Sequence, residues 1–308
     1  MDEMRKIVAG YATIGQGAGP MIVTERAGLF RKYGLDVATR LMEGGKGVAR
    51  GLMAGEIQLG NLAAPALLKA GAVEGTDLVF LTGGINQQFL MSRAGIKSRE
   101  QLAGGRVGLV GDGSVNDVFA YFAADKLEEQ GVRGIRLVPI PSRGREVLNH
   151  LVRGDLEAAV ITSPEAIDAK RAGCHFLIDF ADYGLNYALG GIAVRRSFMD
   201  DNPETVRKFV RAYVEGMHRY RTDRDFTVQV QQDYSGISDR SIAEETYDLT
   251  QPGMPRVPYP VIPALATALK VMARKTPACA KADAHQFVDD RIIRELDEAG
   301  FIDSLYGR

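Results

Sequence analysis

The chain has no tryptophan, two cysteines and four histidines among 308 residues, and each scarcity removes a class of chemistry. Cys174 and Cys279 are too few for a disulfide framework, so two free thiols are expected. His150, His175, His218 and His285 show no HExxH or other ligand spacing and have no neighbouring cysteine, so no metal site is expected. No apolar run approaches the ~20 residues that span a bilayer. The opening segment MDEMRKIVAGYATIG has neither a long apolar stretch nor a cleavage site, so no signal segment is read in it. Charge of one sign is also missing: 38 basic against 39 acidic side chains leave a net charge of −1, which gives nucleic acid nothing to bind.

What is present is a repeat. The stretch LMAGEIQLGNLAAP from Leu52 is echoed by LVRGDLEAAVITSP from Leu151, with Gly55 and Gly154 standing 99 positions apart (154 − 55). KIVAGYATIG at Lys6 and RVGLVGDGS at Arg106 share that offset, as do GLDVATRL at Gly34 and GIRLVPIP at Gly134 (134 − 34 = 100). Two like lobes follow, and a ligand held between two lobes can be enclosed by their closure.

Hydrophobic periodicity gives each lobe the same order of elements. Strands are expected at 7–11, 35–41, 57–62 and 78–82, with helices over 20–33 and 47–54 and another after Pro65. The segment 86–93 reads as extended and crosses into lobe two. There strands fall at 106–110, 135–140 and 158–162, and helices at 115–130, 143–153 and 165–172. A second extended stretch, 185–195, crosses back. Helices then follow from Pro203 to about Tyr220 and over 241–249, 264–274 and 284–299. Strand and helix alternation predicts an α/β fold with two Rossmann-like lobes, each on an open, largely parallel sheet, joined by two extended hinge segments. Lobe one comprises 1–90 and 192–308; lobe two comprises 91–191.

Nucleotide and catalytic signatures are weak. GQGAGP at Gly15–Pro20 puts proline where a dinucleotide fingerprint keeps its last glycine, and GGKGV at Gly44 lacks the hydroxyl residue that follows a P-loop lysine. No GxSxG elbow occurs. No cofactor and no catalytic residue are therefore expected. Candidate ligand contacts lie at the carboxyl ends of the strands, where open α/β sheets bind. In lobe one these are Thr13, Ile14, Gln16, Asn61, Ala63, Ala64, Asn86 and Gln87. In lobe two they are Ser114, Val115, Asn116, Thr162, Ser163 and Glu165, with Tyr187 on the crossing back. Amides and hydroxyls in this set supply hydrogen bonds, while Ala63, Ala64 and Val115 leave room for an apolar body. Ser114 also reads as a helix N-cap. The sign of the ligand charge stays open: Asp112 and Asp117 flank the Ser114 helix start, Arg143 suits a carboxylate or sulfonate, and Glu165 suits an amine or amino-pyrimidine.

VTERAGLFRKYGLDV, GGKGVARGLMAGEIQLGNLAAPALL, KSREQLAGGRVGLVGDGS and LVRGDLEAAVITSP, taken together, resemble the NMT1/THI5-like group of ABC transporter substrate-binding proteins, which includes sulfonate, taurine, nitrate and thiamine-precursor binders. The resemblance implies a type II periplasmic binding protein, a monomer outside the cytoplasm, that passes a small organic anion or polar heteroaromatic to an ABC transporter permease. Without tryptophan, an aromatic box would draw on Tyr11, Phe89, Tyr183 or Tyr187. Two other readings remain at this stage. One is a cytoplasmic dehydratase-like enzyme on the same fold, with Asp112 or Glu165 as general base and a small carboxylate as substrate. The other is the effector domain of a regulator.

Overall fold

A computed structural model describes residues 4–111, 114–140, 144–185 and 187–307. Asp112 and Arg143, both candidates above, lie outside them. The chain divides into two compact units, Met1–Asn86 with Tyr187–Arg308, and Gln87–Asn186.

The first unit begins with β1 (Arg5–Tyr11), α1 (Gly19–Arg26), α2 (Leu29–Lys32), β2 (Leu35–Leu41), α3 (Gly44–Ala54), β3 (Leu59–Ala63), α4 (Ala64–Glu74) and β4 (Leu78–Phe80). The second unit runs β5 (Phe89–Ser92), β6 (Arg106–Leu109), α5 (Val115–Glu129), β7 (Arg136–Pro139), α6 (Arg145–Arg153), β8 (Ala158–Ile161), α7 (Glu165–Arg171) and β9 (His175–Asp179). The chain then returns to the first unit with β10 (Gly190–Arg195), followed by α8 (Arg196–Asp201), α9 (Pro203–Thr222), α10 (Arg224–Ser235) and α11 (Arg240–Thr250). It closes with α12 (Ile262–Met272), α13 (Arg291–Glu298) and α14 (Phe301–Leu305).

Each unit holds one five-stranded sheet, in the orders β2-β1-β3-β10-β4 and β7-β6-β8-β5-β9. The strands that begin and end the second unit's excursion break the parallel pattern. β10 lies antiparallel between β3 and β4, and β5 lies antiparallel between β8 and β9. Only glycine serves at position 191, where φ is +156° and an added Cβ would lie 1.9 Å from the Thr82 carbonyl oxygen.

Apolar burial explains the rest. In the first unit, strand residues Ile7, Ala9, Leu59, Ile192 and Val194 pack with Met21, Val23, Phe30, Phe209, Tyr213 and Tyr220 of α1, α2 and α9. Phe30 and Phe209 stack at 4.7 Å between ring centroids. In the second unit Phe119, Phe122, Phe180 and Tyr183 form one aromatic group, and Phe89 meets Phe176 edge-on at 4.9 Å. Cys174 and Cys279 are free and buried, one in each unit. No described helix is long and apolar enough to cross a membrane.

Three expectations about elements change. The helix expected over 20–33 is two helices, because Gly28 turns left-handed at φ +69° and ends the first. The helix expected over 284–299 begins only at Arg291. Before it, Val288 bridges to Phe80 in parallel, the Asp289 amide donates to the Phe80 carbonyl, and the Asp289 carboxylate takes Arg196 and Arg291. α8, α10, α14 and β9 have no counterpart among the expected elements.

Candidate functional site

The first unit places five of its candidates around the ends of β1 and β3. The Ala12 amide donates to the Asn61 carbonyl at 3.2 Å, which joins the loop after β1 to β3. Thr13 is exposed, and Ile14 is 52 % exposed, unusual for an isoleucine. Asn61 is 7 % exposed, and no hydrogen bond engages its side-chain amide among the described residues. Its amide atoms stay accessible, so a ligand can take their hydrogen bonds in place of water. Three residues on, α4 starts with no side-chain cap, no acidic residue in its first turn, and Pro65 within its first positions. Ala64 is buried and its amide is taken by the Leu189 carbonyl at 3.0 Å, and Pro65 has no amide, so in the first turn the Ala66 amide is the donor that helix geometry leaves open. A helix start of this kind favours a negative group, since amide dipoles converge there. Ala63, the capping position, is half-buried and adds no side chain beyond a methyl group.

The other candidates of this unit are occupied elsewhere. Gln16, 5 % exposed, points into the core: its Oε1 accepts from the Tyr220 hydroxyl at 2.9 Å and its Nε2 donates to the Thr246 carbonyl at 3.5 Å. Asn86 donates from Nδ2 to the Leu189 carbonyl at 2.6 Å. Tyr187 has φ +66° and gives its hydroxyl to the Thr250 carbonyl at 2.5 Å, so its ring is an anchor within the first unit. Of the other rings weighed for an aromatic box, Phe89 and Tyr183 belong to the second unit's core pairs, and Tyr11 packs on the first unit's core.

The second unit answers differently at its own strand ends. Ser114 is the N-cap of α5, its hydroxyl accepting from the Asn116 amide at 3.2 Å. Asn116 donates from Nδ2 to the Val160 carbonyl at 3.0 Å, which fastens the start of α5 to β8, and Val115 beside it is half-buried. Asp117 turns back on the loop before it, accepting from the Val110 and Gly111 amides at 2.7 and 3.3 Å. The start of α5 is therefore satisfied from within, unlike that of α4.

Beyond β8, the Thr162 hydroxyl donates to the carbonyl of Gln87, itself buried, at 3.0 Å. The Ser163 hydroxyl belongs to a residue only 1 % exposed and has no partner among the described residues. Glu165 is half-buried, and burial pushes its carboxyl above the ordinary range, with its own backbone amide and Arg145 opposing the rise. No described cation pairs with it: Arg145 forms its 2.7 Å ion pair with Asp168 instead.

A buried polar network escaped sequence reasoning. Gln231 donates from Nε2 to the Tyr220 hydroxyl at 2.5 Å, and that hydroxyl donates onward to Gln16. Tyr234 exchanges hydrogen bonds with Gly15, accepting from its amide at 2.8 Å and donating to its carbonyl. Both tyrosines hold the loop that carries Thr13 and Ile14, from more than two hundred residues away. Among the described residues no group of three or more His, Cys, Asp or Glu side chains is placed to hold a metal ion.

A model of the family described as NMT1/THI5 like matches residues 17–223. The taurine-binding periplasmic protein of Escherichia coli (strain K12) is 24% identical over 305 residues, spanning 94% of this chain and 92% of that protein. Among solved structures, the periplasmic aliphatic sulphonate binding protein SsuA from Escherichia coli matches with a TM-score of 0.74 at 17% identity, covering 92% of each chain. The periplasmic nitrate-binding protein NrtA from Synechocystis PCC 6803 also reaches 0.74, at 13% identity, covering 96% of this chain and 89% of that one. At such identities the likeness is one of fold, and the fold is that of a type II periplasmic binding protein.

Proposed function

Because the chain belongs to the NMT1/THI5-like family, we propose that it is an extracytoplasmic solute-binding protein that captures a small organic anion and delivers it to an ABC transporter permease. The observation that carries the ligand's sign is the end of β3. There Asn61, whose side-chain amide makes no hydrogen bond among the described residues, stands three residues before an uncapped helix with no acid in its first turn. Donors are in excess at that place, and an anion supplies the acceptors. Taurine, aliphatic sulphonates and nitrate, named for the relatives, are all of that class or contain it.

In this reading Asn61, the Ala66 amide at the start of α4 and the exposed Thr13 and Ile14 meet the ligand. Gln16, Asn86 and Tyr187 position the segments that carry them. The protein acts by binding rather than by turnover, as a monomer that meets its permease transiently. Thermal-shift screening against sulfonates, carboxylates and nitrate tests the proposal, since a ligand raises the melting temperature by linkage. Asn61→Leu is expected to weaken the best anion by about tenfold or more, as loss of a hydrogen bond to a charged group does. A flat screen, or an affinity untouched by Asn61→Leu, refutes it. Of the two carboxylates weighed as general base for the dehydratase-like reading, Glu165 lies within the described residues, and burial raises its proton affinity. Product formation from a small carboxylate, followed by proton NMR and lost in Glu165→Gln, would decide for that reading.

A further inference from the structure

The loop after β1 and the segment that returns from the second unit are held by the same turn of α11. Gln16 Nε2 donates to the Thr246 carbonyl at 3.5 Å, the Thr250 hydroxyl donates to that carbonyl at 2.8 Å, and the Thr250 carbonyl takes the Tyr187 hydroxyl. Thr246 and Thr250 lie on the buried face of the helix at a spacing of one turn, so a single turn carries both attachments. The proline-rich stretch that follows, 251–261, grips the crossings as well. On the outward crossing the Gly83 amide donates to the Pro258 carbonyl at 2.7 Å. A Cβ on Gly83 would lie 2.6 Å from the Tyr259 carbonyl oxygen and 3.3 Å from that of Tyr187, and a Cβ on Gly253 would lie 2.6 Å from the Tyr187 ring. Pro252, Pro255, Pro258 and Pro260 fix φ along this stretch, so it yields little when pulled.

We propose that residues 240–261 couple the ligand loop to both crossings, with Tyr187 as a positioning residue that acts on the loop through Thr250, Thr246 and Gln16. Every bond in this chain lies within the first unit. An anion that settles on Thr13 and Ile14 orders the loop, the ordered loop fixes Gln16, and α11 with its proline-rich extension passes the loss of freedom on to Tyr187 and Gly83. Such coupling is reciprocal, so freeing Tyr187 weakens the anion by the same factor as the anion steadies Tyr187. The ligand's part in this rests on the solute-binding reading; the link itself does not.

Amide hydrogen exchange of the ligand-free protein, read peptide by peptide, tests the link. Tyr187→Phe should speed exchange about threefold or more at 12–19 as well as at 187–195, and Gln16→Leu should do the same at 187–195. Gly253→Ala, which presses on the Tyr187 ring without removing a hydrogen bond, should repeat the Tyr187→Phe pattern. Tyr33→Phe is the control: it loses a hydroxyl bond to Glu215 at 2.6 Å in the same unit and should leave both segments unchanged. Melting temperatures check that each variant folds. A merely structural role would confine each change to its own neighbourhood, and that result overturns the proposal, as does an equal spread in Tyr33→Phe. Calorimetric titration of ethanesulfonate and of nitrate then tests the ligand's part. The tighter of the two should slow exchange at 187–195 in the unaltered protein and lose about three- to tenfold in affinity in Tyr187→Phe. An affinity that Tyr187→Phe leaves untouched overturns the coupling while the solute-binding reading stands. If neither anion binds but exchange still spreads between the two segments, the link stands and the anion's part in it falls.

Discussion

Replacing Tyr220 by phenylalanine removes one oxygen atom from a place that water does not reach. The residue is fully buried, and its hydroxyl accepts from Gln231 Nε2 at 2.5 Å while donating to Gln16 Oε1 at 2.9 Å. Burial holds the phenol well above its usual range, so the group is a neutral donor and acceptor across the working pH. In Tyr220→Phe the two glutamine atoms lose their partner together, and Gln231 Oε1 already has none among the described residues. At about 1–3 kcal/mol for each buried polar group left unmet, and with some relief from repacking, the loss should be about 2–4 kcal/mol. For a chain of 308 residues, at about 2.1 cal/mol/K of unfolding entropy per residue, that corresponds to a fall of roughly 3–6 °C in melting temperature. Differential scanning calorimetry of the purified protein measures it. Adding Gln231→Leu to Tyr220→Phe should recover part of the loss, because removing both partners costs less than stranding one. A shift of less than ~2 °C in Tyr220→Phe would mean that the network contributes little, and the account of how Gln16 is held would fail.

Other consequences can be measured separately. The Arg106 guanidinium, bonded to Glu157 at 2.9 Å, holds that carboxyl down to about 2 from an ordinary 4.5. The pair therefore stabilises the fold above pH 4.5, and the contribution fades as pH falls from there toward 2. Allowing for its partial exposure, Glu157→Gln should cost about 1–2 kcal/mol at pH 7 and little at pH 2.5, read from urea melts at both. Equal losses at the two pH values would contradict it. Ser114→Ala should cost about 1 kcal/mol through loss of the α5 cap. Since Ser114 and Asp117 satisfy that helix start internally, anion affinity should barely change, and a drop of more than tenfold would move the anion site to α5.

Strand and helix alternation, the repeat and both crossings were legible because each rests on local patterning of apolar residues and glycine. Asn61 stood out for the same reason, as a polar residue within an apolar strand shortly before a proline-started helix. Gln16 misled because its glycine-rich neighbours read as a ligand loop. What turns its side chain inward is Tyr220, and no local pattern announces a partner so far along the chain. α10 was missed because FTVQV alternates like a strand, while its buried face, with Thr227 and Gln231 among its members, is as polar as a surface. The break before α13 was hidden too. RIIRELDEAG continues a helical period that only the Val288 bridge to Phe80 interrupts.

The position of β10 bears on how the protein is made. β3 and β4 do not pair with each other; β10 stands between them, and it lies after the whole second unit in the chain. A ribosome therefore releases residues 87–186, whose five strands complete their own sheet, before the first unit can close. Until then the first eighty-six residues wait as an unfinished sheet with two unsatisfied inner edges, a state prone to pairing with other chains. The nascent chain should need protection in the interval between synthesis of Phe80 and Arg195.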